Sequence, residues 1–390
     1  MDFAYTEDQQ AFADSARALF ADACTDDALR AHDAGSEPFM QALWRQCVDT
    51  GLHGMVIDEA HGGLGLGMTD LMAVLEQQGQ ALALVPLAEH QLAAQAVALF
   101  APELAPSLLA GAASGETLLT LSLDGLRAAR GLALTLTLTR DGESLMLSGK
   151  AAAVPLAAQS NQLLLPALLD GQPRLVLVDA KAAGIRLDAG RSQHHLALAD
   201  VHASGVRLEA SALLGEGALQ WLQPRWLAAI GALQLGVSAG QLARTVDYIS
   251  QRKQFGRVIG SFQLVAGQMA DGKIAVEALR SALSQLVYRL DAGLGALPQA
   301  LAVKVLAAQA AHLVGHKAQH VHGGMGVDVT YPIHRCLYWS RALAFTHGGA
   351  EQALADLGDW IAEHDELGWK YDRPEDTGPA NTTGAPHALR

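Results

Sequence analysis

The chain has 390 residues, half of them apolar, with a formal net charge of -13 and three cysteines far apart in sequence. That is enough chain for two or three packed units with a sizeable core. The acidic balance disfavours nucleic acid or an anionic membrane surface as partner, although a few local cations can still hold a phosphate-rich ligand. Cys24, Cys47 and Cys336 lack any paired spacing and read as reduced thiols, and the fifteen histidines include no HExxH-type pattern, so no metal site is expected. The apolar excess comes from Ala and Leu at helical spacing. With no run of about 18 residues free of polar side chains, a spanning segment is not expected. The opening MDFAYTEDQQAFADSARALF carries acids early and no basic stretch before an apolar one, which argues against a secretory signal and for a cytoplasmic protein.

Residues 1–115 read as helices. Phe3, Phe12, Ala16 and Leu19 form one stripe, and Leu43, Cys47 and Leu52 begin another. Gly62-Gly63-Leu64-Gly65-Leu66-Gly67 lacks GxGxxG spacing, a preceding strand and a following Lys-Ser/Thr, so a structural loop is expected rather than a phosphate cradle. Across 116–211 the period changes to two. Leu132, Leu134, Leu136 and Leu138 alternate with Ala133, Thr135, Thr137 and Thr139. Asp141-Gly142 and Asp170-Gly171 read as hairpin turns, and Leu163–Leu165, Leu175–Val178 and Val206–Leu208 continue the strands. Without long helices between them, these strands imply an antiparallel β domain. From 212 to 365 helices return, with Leu279, Leu283, Leu286, Val287 and Leu290 on one face of a bundle helix. Residues 366–390 are rich in Pro, Gly, Thr and charge and read as a disordered tail.

Two segments carry most of the functional information. Gln251-Arg252-Lys253-Gln254-Phe255-Gly256-Arg257-Val258-Ile259-Gly260-Ser261-Phe262-Gln263 lies between two helices. The Arg252 guanidinium is a planar fork of donors suited to phosphate oxygens, and the glycines let a ligand approach the backbone. Read alone, it is equally an inter-helix corner with a solvated Arg-Lys pair. His322-Gly323-Gly324-Met325-Gly326-Val327, followed by Tyr331-Pro332-Ile333-His334-Arg335, follows a long helix and can expose backbone N–H groups to a diphosphate. Read alone, it is a flexible turn.

Together, in this order and at this separation, the two segments resemble the acyl-CoA dehydrogenase family, whose motifs read close to QRxQFGxxIGxFQ and QxxGGxG…YPxxR. Gly62-Gly63-Leu64-Gly65 and the helix–strand–helix order extend the resemblance over most of the chain. It implies an α+β multidomain fold: an N-terminal helical domain, a middle β domain and a C-terminal four-helix bundle. It also implies FAD as cofactor, a CoA thioester as substrate, α,β-desaturation as the reaction, and an electron-transfer flavoprotein as the partner that reoxidises the flavin. Carried over residue by residue, Arg252, Gln254, Phe255 and Gly256 match the segment that contacts the FAD diphosphate and adenosine half of the neighbouring subunit. Gly323 and Gly324 match the second nucleotide segment. His320, or the adjacent Gln319, stands at the family's Gln.

The resemblance fails at the base. α-Proton removal needs a carboxylate with a raised pKa in a desolvated pocket. The family carries that Glu in a Tyr-Glu-Gly-Thr stretch opening the last bundle helix, matched here by Thr346-His347-Gly348-Gly349-Ala350, with Gly348 at the Glu position. A minority carry it on the helix before the QRxQFG motif, at a position that falls on Trp226. Glu351 and His347 are the local substitutes, the first reading more readily as a surface helix acid. The stretches matching the ring-contacting segments, Leu121-Ser122-Leu123-Asp124-Gly125 and Ala153-Val154-Pro155-Leu156-Ala157, offer a flavin ring little hydrogen bonding. A surviving nucleotide half-site beside a degraded ring pocket and base fits hetero-oligomers of two related subunits, in which the other subunit brings the base, as described for bulky, steroid-type acyl-CoA substrates. The alternatives are a self-sufficient homotetramer with an atypical base and a non-catalytic scaffold or CoA-thioester-binding member.

Overall fold

A computed structural model describes residues 5–126 and 134–364. The expectations for Phe3, for Leu132 and Ala133, and for the tail from 366 lie outside the described residues.

The chain opens with α1 (Glu7–Ala23), α2 (Asp26–Ala34), α3 (Gln41–Asp49), α4 (Met68–Ala81), α5 (Leu87–Phe100) and α6 (Ala105–Ala113). Thr6 begins α1 as a capping box. Its hydroxyl accepts from the Gln9 N–H, and the Gln9 amide oxygen accepts from the Thr6 N–H. Phe12 and Leu19 pack against the core with buried Ala16, as their spacing requires. The glycine-rich stretch 62–67 is a loop leading into α4. There Asp291 of the later bundle accepts from the Met68 and Thr69 N–H groups, occupying the helix N-terminus with a carboxylate.

The β domain holds β1 (Leu119–Leu121), β2 (Thr137–Asp141), β3 (Ser144–Pro155), β4 (Gln162–Leu169), β5 (Gln172–Asp179), β6 (Ile185–Arg191) and β7 (Ala197–Glu209). Leu136 and Leu138 are buried while Thr135, Thr137 and Thr139 are exposed, the alternation of a half-buried strand. Asp170 and Gly171, with φ of 52° and 77°, make the tight β4–β5 turn. Most registers are antiparallel (β2 with β3, β3 with β7, β6 with β7, β4 with β5), with no crossover helix among the described residues. β4 nevertheless runs parallel to β1 and β2. Alternation identifies a strand and its buried face; its neighbour is set by long-range packing that a period of two does not encode.

The bundle follows with α7 (Ala218–Gln251), a β8–β9 hairpin (Lys253–Gln254 and Arg257–Val258), α8 (Gln263–Asp291), α9 (Leu297–His322), α10 (Ile333–Phe345) and α11 (Ala350–Glu363). α9 is the hub, packed on α7, α8, α10 and α11. α7 and α9 are long and apolar enough to cross a membrane, which polar-residue spacing did not anticipate, but the most apolar window of α7 is 83% buried within the fold. One continuous apolar core joins the N-terminal helices to the bundle, and the β domain has a second core of its own. α4 and α7 approach so closely that a Cβ on Gly79 would lie 2.1 Å from the Leu233 carbonyl oxygen, and one on Gly236 would lie 2.0 Å from that of Glu76. Only glycine permits that crossing.

Candidate functional site

The first sequence motif folds as a short projecting hairpin. The Arg252 N–H closes α7 on the Tyr248 carbonyl at 2.9 Å, and Lys253 and Gln254 pair with Val258 and Arg257. Phe255 and Gly256 form the tip with φ of 54° and 80°, the left-handed pair a two-residue turn needs. Phe255 is 91% exposed, edge-on to Phe262, over whose ring the Arg257 guanidinium lies at 4.0 Å. Arg252 is exposed and makes no ion pair among the described residues, so its donors are free for an anion.

The second motif lies at the same end of the bundle. α9 stops at Gly323, whose φ of 57° and ψ of -132° suit glycine alone. A Cβ on Gly323 or Gly324 would meet nothing within 4 Å, so this backbone faces open space, whereas Gly326 packs against Gln319. Tyr248 stacks on His322 at 4.2 Å and its hydroxyl reaches the Met325 sulfur, tying the turn to the end of α7. Exposed His320 lies 3.5 Å from the Gln268 amide at the start of α8. Gln319 turns inward, and its side-chain nitrogen and oxygen are buried without a partner. Free guanidinium donors, an exposed aromatic ring and open glycine backbone together suit the diphosphate and adenosine half of a dinucleotide.

The candidate base region lies at the opposite end of α9. Thr346–Gly349 links α10 to α11, with His347 and Gly348 left-handed at φ of 57° and 84°. The His347 N–H donates to Asp124 Oδ1 at 2.5 Å, and its imidazole is 2% exposed. Nδ1 lies 3.1 Å from the Leu123 carbonyl oxygen and Nε2 lies 3.3 Å from the Gln223 amide nitrogen. A carbonyl can only accept, so Nδ1 carries the proton and Nε2 accepts from Gln223: a neutral imidazole with both nitrogens engaged. Glu351 is an exposed residue in the first turn of α11. Trp226 is buried in α7 with its indole N–H unpartnered. Beside it, Arg225 stacks on Trp221 at 4.0 Å, and burial pulls its guanidinium down to about 10.

Lys304 and Gln223, which no motif included, build this region together with Asp124 of the ring-side stretch. Lys304, 1% exposed, donates to the carbonyls of Leu343 (2.8 Å), Ala344 (3.0 Å) and Thr346 (2.7 Å), closing the C-terminus of α10. Burial draws its ammonium down to about 7, against the pull of Asp124. The Asp124 carboxyl is itself pushed up by burial, opposed by the His347 N–H and by Lys304. Gln223 completes the set. A lone Lys within the Ala-rich run Leu301–Ala311 was the available sequence signal, since an isolated charge on a core helix must find partners.

A flavin fits these surroundings only in part. The ring-side segments are closed: Leu121, Leu123, Val154, Leu156 and Ala157 are at most 1% exposed. Their polar groups are occupied internally, with the Ser122 N–H on Leu164, the Ala153 N–H on Asp200 and the Leu156 N–H on Ala197. The nucleotide end is open, and Arg252, Phe255, Gly323 and Gly324 are the residues that would hold that half.

Comparison with known proteins agrees with this architecture. The family model described as acyl-CoA dehydrogenase, N-terminal domain, matches residues 6–116, and the corresponding C-terminal domain model matches residues 225–362. The acyl-CoA dehydrogenase FadE27 of Mycobacterium tuberculosis is 33% identical over 93% of this chain and 99% of its own length. Among solved structures, the ChsE4–ChsE5 complex from Mycobacterium tuberculosis aligns with a TM-score of 0.88 at 33% identity, covering 93% of this chain and 100% of that one. A variant of the Tcur3481–Tcur3483 steroid ACAD aligns at 0.87 and 36% identity, covering 92% and 98%. The chain therefore belongs to the acyl-CoA dehydrogenase family, oxidoreductases that use FAD. At the level of fold alone, the glutaryl-CoA dehydrogenase of Mycobacterium smegmatis in complex with FADH2 aligns at 0.83 and 16% identity over 93% of this chain and 96% of that one.

Proposed function

We propose that this chain is the baseless subunit of a hetero-oligomeric acyl-CoA dehydrogenase acting on a bulky, steroid-type acyl-CoA. A related subunit supplies the general base and the ring pocket, and this chain completes the nucleotide half of that subunit's flavin site with Arg252, Gln254, Phe255, Gly256, His320, Gly323 and Gly324. The observation that carries the reading is His347, a buried imidazole engaged at both nitrogens within the stretch matched to the family's Tyr-Glu-Gly-Thr. Gly349 is the N-cap of α11. If the Thr of Tyr-Glu-Gly-Thr is matched to that N-cap, a position that favours Thr, His347 rather than Gly348 falls on the Glu. Neither register supplies a carboxylate. Glu351 is exposed on the first turn of α11, outside the kind of desolvated pocket in which a general base works. FAD, when bound, supplies the hydride acceptor for α,β-desaturation. The other subunit's acid takes the α-proton, and an electron-transfer flavoprotein accepts the electrons. The setting is the cytoplasm. The relatives solved as pairs, ChsE4–ChsE5 and Tcur3481–Tcur3483, support a two-subunit assembly.

The test is flavin content and desaturation by the purified chain, alone and co-purified with a related subunit encoded beside it. The chain alone is expected to be colourless and inactive, and the pair yellow and active. A yellow, active lone chain would overturn the proposal in favour of a self-sufficient enzyme.

A further inference from the structure

The link between β6 and β7, residues 192–196, is where the β domain meets both helical domains. Just before it, Arg191 donates to the Gly35 and Glu37 carbonyls at 3.0 and 2.9 Å, and just after it the Ala197 N–H donates to Pro38 at 3.0 Å. On the other side the Gln193 amide reaches the Tyr338 carbonyl of α10 at 3.3 Å. Three histidines gather in this seam. His32 of α2 is 9% exposed, and neither of its ring nitrogens has a hydrogen-bond partner among the described residues. Glu37 Oε2 stands 3.7 Å from its Nδ1, beyond hydrogen-bond reach. Half-buried His194 has Nδ1 2.9 Å from the Ser192 hydroxyl, and its ring lies edge-on to Trp339 at 5.1 Å. His195 Nε2 lies 3.7 Å from Asp33, whose carboxylate also accepts from Arg335 Nε.

We propose that this seam is a proton-operated latch: uptake of a proton at His194 and His32 releases the β6–β7 link from α2 and α10 and frees the β6 edge of the sheet, while the bundle stays folded. The seam has little capacity for another positive charge. Arg191 and Arg335 already place two guanidiniums there, Asp33 is engaged by Arg335 and His195, and no carboxylate touches His194 among the described residues. The cavity between His32, His194 and Arg335 measures about 20 Å³, room for one water molecule and not for a hydrated counter-ion. Leu82 and Leu84 close its remaining side. Desolvation, with His195 adding to it, holds His194 down to about 4. Desolvation also holds His32 below its ordinary value, opposed by Asp33 and Glu37 and assisted by Arg191. Both closed-state values lie below those of the open seam, so the open form binds the extra proton. The closed seam is therefore at full strength above pH 6.5 and weakens as pH falls toward 4. From His194 alone, the open form gains roughly 30-fold between pH 7.5 and 5.

Hydrogen exchange of the full chain, read by mass spectrometry and corrected for the intrinsic rate at each pH, tests this. The Leu196 and Ala197 amides, bonded to the Ser192 hydroxyl and to Pro38, report the latch directly. Their protection is expected to fall roughly 30-fold between pH 7.5 and 5, with that of α8 and α9 unchanged. His194→Phe keeps a ring against Trp339 and takes up no proton, so it should abolish most of the pH response. His194→Gln, which also stays neutral, should do the same and serves if the Phe variant fails to fold. Protection of the link that is indifferent to pH, a response that the His194 variants retain, or loss of protection in the link and α9 together would overturn the assignment.

Discussion

Replacing His347 by Ala separates a catalytic role from a structural one. The imidazole is buried and bridges the Leu123 carbonyl to the Gln223 amide, while its own main-chain N–H holds Asp124. The substitution keeps the main-chain bond, removes both side-chain bonds and leaves a small void. A buried acceptor left unmade costs about 1–3 kcal/mol, and the void adds to it, so a loss of about 2–4 kcal/mol in stability is expected. Loss of a general base would instead slow desaturation by about 10²–10⁴-fold. The two effects fall on different measurements. Denaturant titration of the His347→Ala chain should show a lower midpoint with an unchanged slope. Stopped-flow flavin reduction in the co-purified complex, below the unfolding transition, should stay within a few-fold of wild type. A hundredfold slower reduction with flavin still bound and the complex folded would show that His347 takes the α-proton, and the two-subunit reading would fail.

Glu351→Ala should likewise leave flavin reduction within a few-fold, because an exposed side chain on α11 has no desolvated path to the substrate. Arg252→Ala should lower flavin retention by the complex roughly 30- to 150-fold, as measured by dilution-induced release, since a bidentate charge-assisted contact carries about 2–3 kcal/mol. Lys304→Met strands two α10 carbonyls and that of the C-cap Thr346 and removes the cation facing Asp124, and equilibrium unfolding should show a loss of about 3–5 kcal/mol. His90 is fully buried and held down to about 3 by desolvation, with His53 adding to the effect. Its folded value lies below the unfolded 6.5, so the unfolded chain binds the extra proton. The stability His90 confers is complete above pH 6.5 and falls as pH drops toward 3, by up to about 5 kcal/mol. Unfolding curves of wild type and His90→Asn between pH 7 and 4 should converge on acidification; parallel curves would refute the assignment. Taking the difference between the two chains removes the opposite trend from half-buried Glu89, whose carboxyl desolvation raises to about 7.

Legibility in the sequence followed the range of the interaction. The β4–β5 turn, the Phe255–Gly256 tip and the α8 face of Leu279, Leu283 and Leu286 depend on residues within a turn or two of each other, and local patterns encode them. The parallel pairing of β4 with β1 and β2 depends on where β1 comes to rest after α6, and no period announces that. The candidate site divides the same way. The end proposed to hold the nucleotide is two contiguous motifs, and both are visible in the sequence as written. Its other end is assembled from Asp124, Gln223, Lys304 and His347, drawn from the β domain and three segments of the bundle. The motif comparison could register a missing Glu there, but not the bonded cluster that stands in its place. Likewise the order Gln319-His320 is visible in sequence, while the inward turn of Gln319 and the outward one of His320 follow from where α9 meets Gly326.

Both ends of the site hang on one helix. Lys304 and His320 are both on α9, sixteen residues apart in numbering, or about 24 Å at 1.5 Å per residue. At one end Lys304 and Asp124 bind α9 to α10 and to the β domain. At the other, His320, Gly323 and Gly324 face open space beside the hairpin. A dehydrogenase that performs its own chemistry needs room beside the acid for substrate and flavin ring. Here the His347 N–H donates to Asp124 and Lys304 donates to the Thr346 carbonyl, which ties the β domain and α9 to the α10–α11 link. Fixing α9 at Lys304 also fixes the direction of its far end, and under the proposed function a corner that completes another subunit's site gains from arriving already oriented. If that coupling operates, Lys304→Met should weaken flavin retention by the complex even under conditions where the variant stays folded. Normal retention in a folded Lys304→Met complex would show that the two ends of α9 act independently.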